Sequence, residues 1–191
     1  METKWIGANK VSFEVGRRGT KPDRVVLHWI VGTLAAADST FLSAKGTSAH
    51  YGIGPDEVHQ YVKEQDTAYH AGNFPMNLRS IGIEHQGGPD LPIEDSTYDK
   101  SAVLVLDICT RYGIPLDRQH ILKHSEIKAT QCPGTLDIDR VINKAIALQK
   151  GEPEMANTVN ITDDKFRELV QKATQWDTTA DAFGVDRLDA A

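Results

Sequence analysis

Arg24-Val-Val-Leu-His-Trp-Ile30 is a short apolar run rich in β-branched residues, and it is the strongest indication of the fold. Such a run is typical of a strand buried on both faces of a sheet. A second run, Arg79-Ser-Ile-Gly-Ile-Glu-His85, is stopped by Gly87-Gly88-Pro89. A third and shorter run is His120-Ile-Leu-Lys123. These runs predict three strands of one buried sheet.

Helical patterns alternate with these strands. Residues 34–44 predict a short helix with Thr33 as its N-cap, and residues 98–112 predict a longer helix that Ser96 or Thr97 caps. A last core helix follows residue 134, and its apolar face consists of Ile138, Val141, Ile142 and Ala145.

One hairpin completes the prediction. Two extended segments, residues 48–53 and 57–62, flank the turn Gly54-Pro55-Asp56. Residues 66–77 have no sustained period and are predicted to form a loop. Strands interleaved with helices, together with one hairpin, predict an α/β fold with a central mixed β-sheet covered by helices.

Length and composition predict one domain with a short appendage. The chain has 191 residues, of which 40% are hydrophobic and 25% charged, as in an ordinary globular protein. We expect the domain to span residues 1–150, a linker residues 151–160, and a short helical extension of unknown role residues 161–191. Docking of this extension on the domain is its simplest role, and wall targeting and dimerisation are the alternatives.

Charge and hydropathy exclude several classes of partner. The net charge is -6 and no dense Lys/Arg run occurs, so nucleic acid is not expected as a partner. No stretch approaches the roughly 20 apolar residues that span a bilayer, and the polar start has no signal core. The sequence therefore predicts cytoplasmic synthesis without a signal peptide and no membrane partner.

Three residues have the chemistry of a hydrolytic zinc site. Such a site needs about three protein ligands and one open position at which water is activated. His28, His124 and Cys132 are the candidates. Each also has an ordinary interpretation: a core histidine, a polar loop residue, and an inert thiol or a partner for Cys109. Spacing alone leaves these alternatives open.

The flanking sequences resemble the type 2 N-acetylmuramoyl-L-alanine amidases, the superfamily of phage endolysins and peptidoglycan recognition proteins. The resemblance covers roughly residues 22–148. It is carried by five ordered motifs: Val25-Val-Leu-His28, Ser48-Ala-His-Tyr51, Ala68-Tyr-His-Ala-Gly72, Ser80-Ile-Gly-Ile-Glu84, and the stretch from His124 to Gly134. It implies a zinc (Zn2+) enzyme with His28, His124 and Cys132 as metal ligands.

The same resemblance implies catalytic roles for further residues. Glu84 stands where the family carries a carboxylate that moves a proton from the attacking water to the leaving nitrogen. A strand-end glutamate facing solvent is its alternative. Thr130 stands where some members carry a lysine that stabilises the oxyanion, and a hydroxyl supplies no full charge there. Lys128 lies two residues earlier and is otherwise a solvent-exposed lysine.

Three residues are predicted to contact substrate. Some relatives carry a tyrosine at the position of Ala49, and Tyr51 on the same strand could line the cleft instead, or pack in the core. His70 and Asn73 lie on the loop that the resemblance assigns to substrate binding. The substrate implied is peptidoglycan or muropeptides, cut between N-acetylmuramic acid and L-alanine.

Several biological roles stay open at this level. The resemblance implies a phage endolysin that acts at the cell wall after release by a holin. A bacterial recycling or autolytic amidase is the alternative, as is a module that binds peptidoglycan without cutting it. The sequence does not decide between a monomer and a dimer.

Overall fold

The computed structural model of the protein describes residues 2–151. All but the first residue of the predicted linker, and the whole predicted extension, lie outside the described residues. The eight strands of the described part are β1 (Lys4–Trp5), β2 (Phe13–Glu14), β3 (Arg24–Trp29), β4 (Tyr51–Ile53), β5 (Val58–Gln60), β6 (Thr67–Ala68), β7 (Ser80–His85) and β8 (Ile121–Lys123). Its α-helices are α1 (Leu34–Leu42), α2 (Phe74–Arg79), α3 (Asp95–Tyr112) and α4 (Ile138–Lys150).

Six of these strands form one mixed sheet in the order β1, β5, β4, β7, β3, β8. Every neighbouring pair is parallel except β4 and β5, which form the predicted hairpin. β2 and β6 form a separate antiparallel pair. The predicted α/β fold with a central mixed sheet is therefore confirmed.

The two apolar runs lie side by side in the middle of the sheet as β3 and β7. Their inward residues Val25, Leu27, Ile81 and Ile83 are completely buried. These four side chains pack under α3 and α4, against Leu104, Val105, Ile108, Val141 and Ile142. Burying one such side chain stabilises a protein by about 1.5–3 kcal/mol.

Alternation along β3 turns His28 to the opposite face of the sheet from Leu27. α1 and the hairpin cover part of this second face with Phe41, Tyr61 and Ala37. Gly52 of β4 lies below α1, where an added Cβ would come within 2.9 Å of Leu34 Cδ1 and 2.8 Å of the Tyr61 hydroxyl. A glycine lets helix and hairpin approach this closely.

The helix boundaries differ in part from the predicted ones. Thr33 caps α1 as predicted, because its hydroxyl accepts from the Ala36 N–H, but the helix ends at Leu42. α3 begins three residues earlier than predicted, with Glu94 at the N-cap. The predicted caps Ser96 and Thr97 therefore lie inside the first turn. Gly113 ends α3 in the left-handed conformation that favours glycine.

The predicted loop over residues 66–77 contains regular structure. β6 (residues 67–68) forms by pairing with β2. β2 lies in the N-terminal segment, where the sequence shows no strand pattern. α2 begins after Asn73, whose side chain accepts from the Met76 N–H at 3.1 Å, and Pro75 occupies its first turn. The start signal of α2 is visible in the sequence, but six residues are too few to show a helical period.

The N-terminal segment is anchored by the buried side chain of Arg17. Its guanidinium donates to four backbone carbonyls, those of Glu64, Asn77, Leu78 and Ser80. Burial lowers the pKa of Arg17 to about 10. The carbonyls satisfy a charge that would otherwise be costly to bury.

None of the helices in residues 2–151 combines the length and the apolar character needed to cross a bilayer.

Candidate functional site

The site is built around His28, which β3 holds on the second face of the sheet with only 1% of its surface exposed. Its Nδ1 atom lies 3.7 Å from the Cys132 sulfur. Its Nε2 atom points the other way and lies 3.1 Å from Nδ1 of His70. Both ring nitrogens of His28 thus have defined neighbours.

His124 and Cys132 reach His28 from a single loop. β8 ends at Lys123 beside β3, so His124 follows directly and its ring centre lies 4.5 Å from that of His28. The Ser125 N–H donates to the Cys132 carbonyl at 2.9 Å, which closes the loop. One ligand atom from each of the three residues lies within 4.8 Å of the others. The structure brings the three predicted metal ligands together.

The chemistry of these three donors fits a divalent cation. Burial lowers the pKa of both His28 and His124, which keeps the imidazoles neutral. Burial raises the pKa of the Cys132 thiol to about 12, against the effect of a bond from the Trp29 N–H. A thiolate in this position therefore needs a cation beside it. Zinc takes two imidazoles and a thiolate readily and leaves a fourth position open.

Glu84 lies beside His28 on the neighbouring strand. The two residues are register partners of β7 and β3, so their side chains leave the same face of the sheet. The Oε2 atom of Glu84 is shielded from solvent and has no hydrogen-bond partner among the described residues. Burial raises the pKa of this carboxyl to about 8. A carboxyl with one shielded, unpartnered oxygen, beside a cluster that could hold a metal ion, has the properties of a proton carrier.

The structure buries two of the three residues that were predicted to contact substrate, His70 and Tyr51. His70 is buried under His28 and packs on Gly82, where an added Cβ would come within 2.4 Å of the imidazole. The prediction that Tyr51 lines the cleft is wrong, because Tyr51 belongs to the core on the α3 face and its hydroxyl donates to Glu64. Asn73 is exposed, and its side-chain oxygen Oδ1 caps α2 by accepting from the Met76 N–H.

Thr130 and Lys128 lie on the loop between His124 and Cys132. The Thr130 hydroxyl accepts from the Cys132 N–H at 3.2 Å, so it shapes the turn that carries the thiol. Lys128 is exposed, and its side chain covers Gly72, where an added Cβ would come within 2.8 Å of Nζ. Its charge contributes to the lowered pKa of His124. Lys128 therefore brings an ammonium group to the rim of the cluster.

Two further residues of the site, Asn77 and Ser80, were assigned no role from the sequence. The side-chain oxygen of the buried Asn77 accepts from the N–H groups of His70 and Ala71, at 3.2 and 2.8 Å. The Ser80 hydroxyl lies 3.2 Å from Nε2 of His70. The contacts of both residues depend on the tertiary fold, so no local pattern reveals them, although Ser80 opens one of the family motifs.

Comparison with known proteins gives both a family and a fold. The family model described as N-acetylmuramoyl-L-alanine amidase matches residues 18–135. The N-acetylmuramoyl-L-alanine amidase CwlL of Bacillus licheniformis is 29% identical over 102 residues, which cover 48% of this chain and 28% of that protein. A probable N-acetylmuramoyl-L-alanine amidase of the same organism is 28% identical over 127 residues, 57% of this chain and 35% of that one. The chain spans about a third of these curated relatives.

Solved structures share the fold at low sequence identity. The catalytic domain of XlyA has a TM-score of 0.63 at 18% identity and covers 76% of this chain and 99% of its own. An AmpD derivative has a TM-score of 0.60 at 24% identity and covers 73% of this chain and 92% of its own. Since the family model matches more than half of the residues, the chain belongs to the N-acetylmuramoyl-L-alanine amidase family.

Proposed function

We propose that this chain is a zinc-dependent amidase that hydrolyses the bond between the lactyl group of N-acetylmuramic acid and the first L-alanine of the peptidoglycan stem peptide. The observation that carries the proposal is the cluster of His28, His124 and Cys132, with ligand atoms within 4.8 Å of one another, beside Glu84, whose Oε2 atom is shielded from solvent and unpartnered. Family membership and the names of both curated relatives support the same reaction.

In this proposal His28, His124 and Cys132 hold the zinc ion. When bound, zinc lowers the pKa of a water molecule and polarises the carbonyl group under attack. Two neutral imidazoles and one thiolate leave a net positive charge at the site, which favours both effects. Burial of the thiol makes this charge necessary, because the Cys132 pKa of about 12 is far above neutral pH without it.

Glu84 is the proposed proton carrier. An amide nitrogen leaves poorly until it is protonated, so one carboxylate that first accepts and then donates a proton lowers the main barrier. Ionised Glu84 takes the proton from the attacking water and then gives it to the departing alanine nitrogen. Its raised pKa suits the second step, because a carboxyl with a pKa of about 8 binds a proton firmly.

Lys128 is the proposed source of charge for the oxyanion. Negative charge develops on the carbonyl oxygen as water adds, and a nearby cation stabilises it more than a hydroxyl does. The Thr130 oxygen already accepts from the Cys132 N–H, which gives Thr130 a role in shaping the loop. Lys128 reaches the rim of the cluster from the same loop, through its packing on Gly72.

We further propose that the enzyme acts on intact walls as an endolysin. Solved structures that share the fold include a mutant endolysin from Bacillus subtilis, at 18% identity. The alternative is an enzyme of bacterial recycling or wall turnover, which would act on soluble muropeptides. Turnover of intact sacculi that exceeds turnover of soluble muropeptides would favour the endolysin role.

The test of the proposed reaction is digestion of purified peptidoglycan by the full chain, with products identified by mass spectrometry. We expect free stem peptides that begin with alanine and glycan with intact lactyl groups. Chelator treatment should abolish them, and added zinc should restore them. Glu84→Ala should keep its zinc and lose turnover by about 100-fold or more, since general acid-base catalysis contributes this much. Cys132→Ser should lose both zinc and turnover.

The same digestion separates the roles of Glu84 and Lys128. Lys128→Met should bind zinc normally and turn over more slowly, because only stabilisation of the oxyanion is lost. Products without a free alanine terminus, or an unchanged rate in chelator, would contradict the proposed reaction. Full activity of Glu84→Ala would contradict only the role of Glu84.

A further inference from the structure

A chain of hydrogen bonds beneath the site begins at a backbone carbonyl. The Ser80 hydroxyl donates its single proton to the Met76 carbonyl at 2.6 Å. Its oxygen can then only accept from a second partner. That partner is Nε2 of His70, at 3.2 Å. The proton of the neutral His70 ring therefore resides on Nε2.

The next bond passes this constraint to His28. With its proton on Nε2, His70 has a lone pair on Nδ1, which lies 3.1 Å from Nε2 of His28. His28 Nε2 must therefore carry a hydrogen and donate it. The other nitrogen of His28, Nδ1, therefore carries no hydrogen and keeps its lone pair. This is the atom that lies 3.7 Å from the Cys132 sulfur.

His124 is constrained in the same way by Ala71, the residue that follows His70. Its Nε2 lies 3.2 Å from the Ala71 carbonyl oxygen. A carbonyl only accepts, so Nε2 of His124 carries the hydrogen and Nδ1 is free to bind a cation. One dipeptide, His70 and Ala71, thus supplies the acceptor for both histidines of the cluster.

The dipeptide itself is held in place by buried contacts. Asn77 accepts from both of its N–H groups. Gly82 leaves the room that the His70 ring occupies, since a Cβ there would come within 2.4 Å of it. Both Asn77 and His70 are almost fully buried, so solvent does not compete for these bonds.

We propose that the His70-Ala71 dipeptide is a positioning element that fixes both metal-binding histidines as Nε2–H tautomers before the cation arrives. His70 then acts through His28 and has no contact with substrate. The inference rests on the proposed function, since it assigns the hydrogen-bond partners of the proposed zinc ligands. Partners of this kind fix the orientation of a ligand imidazole, and their loss typically weakens metal binding by about 10- to 100-fold.

The test is a chelator competition that measures the zinc affinity of the full-length chain and its variants. His70→Ala should weaken zinc binding by about 10- to 100-fold. His70→Asn should largely rescue it, because the amide oxygen can replace Nδ1 as the acceptor for His28. Ser80→Ala should have an intermediate effect, since it frees His70 to adopt the opposite tautomer.

Nitrogen chemical shifts of the imidazoles give a second readout independent of activity. They should show His28 and His124 as Nε2–H tautomers in the wild-type chain. In His70→Ala the His28 ring should no longer be held in this form, while His124 keeps it through Ala71. The matched control is His59→Asn, which removes another buried histidine, bonded to Asp38, and should leave zinc affinity unchanged.

Several outcomes would overturn the inference. One is an unchanged zinc affinity in His70→Ala. If the turnover of that variant differs from wild type only by a raised KM, His70 binds substrate instead. Another is an equal loss in His70→Ala and His59→Asn, which would mean general destabilisation. If Cys132→Ser binds zinc as tightly as the wild-type chain, the proposed zinc site itself fails, and the inference fails with it.

Discussion

Among single residues, Glu84 shows how a buried carboxyl makes the stability of the fold depend on pH. Its pKa is raised from 4.5 to about 8 by burial. The folded chain therefore holds the proton up to about pH 8, whereas the unfolded chain releases it near pH 4.5. Stability is lost as pH rises through this window, at up to about 1.4 kcal/mol per pH unit.

We expect the variant Glu84→Gln to lack this loss. Relative to the wild-type chain, its free energy of unfolding should rise between pH 5 and pH 8, by roughly 1–3 kcal/mol in total. Urea denaturation of the zinc-free protein at several pH values measures this difference. The cost of burying the amide does not change with pH, so the slope isolates the carboxyl. A difference that stays constant across this range would show that Glu84 titrates normally.

The candidate site could be predicted from sequence only where a residue type has distinctive chemistry in a familiar motif. His28, His124, Cys132 and Glu84 were found in this way, and the structure places them together. The prediction that Tyr51 lines the cleft was wrong, and its alternative of core packing holds, because strand alternation was counted from Ala49, which precedes β4. The contacts of His70 depend on a ring packed against Gly82 of another strand, and no spacing along the chain encodes them.

At the scale of elements, the docking of α1 on the hairpin depends on the absence of one side chain. An alanine at Gly52 would place its Cβ 2.8 Å from the Tyr61 hydroxyl and 2.9 Å from Leu34. We expect Gly52→Ala to destabilise the fold by about 1–3 kcal/mol through overpacking, measured by thermal or urea denaturation. Gly32→Ala is the matched control, because its Cβ would meet nothing closer than 3.6 Å. Equal stability of both variants would contradict this tight packing.

Element length decided which parts of the fold could be predicted. β3, β7, α3 and α4 are long enough to show a buried run or a helical period, and the prediction placed each within a few residues. β1, β2 and β6 have two residues each and exist only through their pairing partners. Such strands have no pattern of their own, so the sequence could not reveal them.

At the scale of the whole molecule, buried histidines make the fold sensitive to acid. Burial lowers the pKa of His28, His50 and His70 well below 6.5 and that of His85 to about 4. The unfolded chain therefore binds protons that the folded chain cannot bind. The stability that comes from neutral histidines is complete above about pH 6.5 and is lost as pH falls below it.

We expect the zinc-free chain to lose roughly 2–5 kcal/mol of unfolding free energy between pH 7 and pH 5. Four histidines outweigh the opposite effect of Glu84 in this range. Urea denaturation curves at each pH measure the loss, and Glu84→Gln should lose stability more steeply because the opposing contribution is gone. Stability that is flat over this range would mean that the histidines become charged inside the fold.

The anchoring of the N-terminal segment by Arg17 has a consequence for the size of the folding unit. The residues that match the family begin at residue 18 and end at residue 135. A fragment cut to these limits would lack the guanidinium that donates to four backbone carbonyls. It would also lack α4, whose residues Ile138, Val141 and Ile142 pack in the core next to α3. The part of the chain that identifies the family is therefore shorter than the part that must fold together.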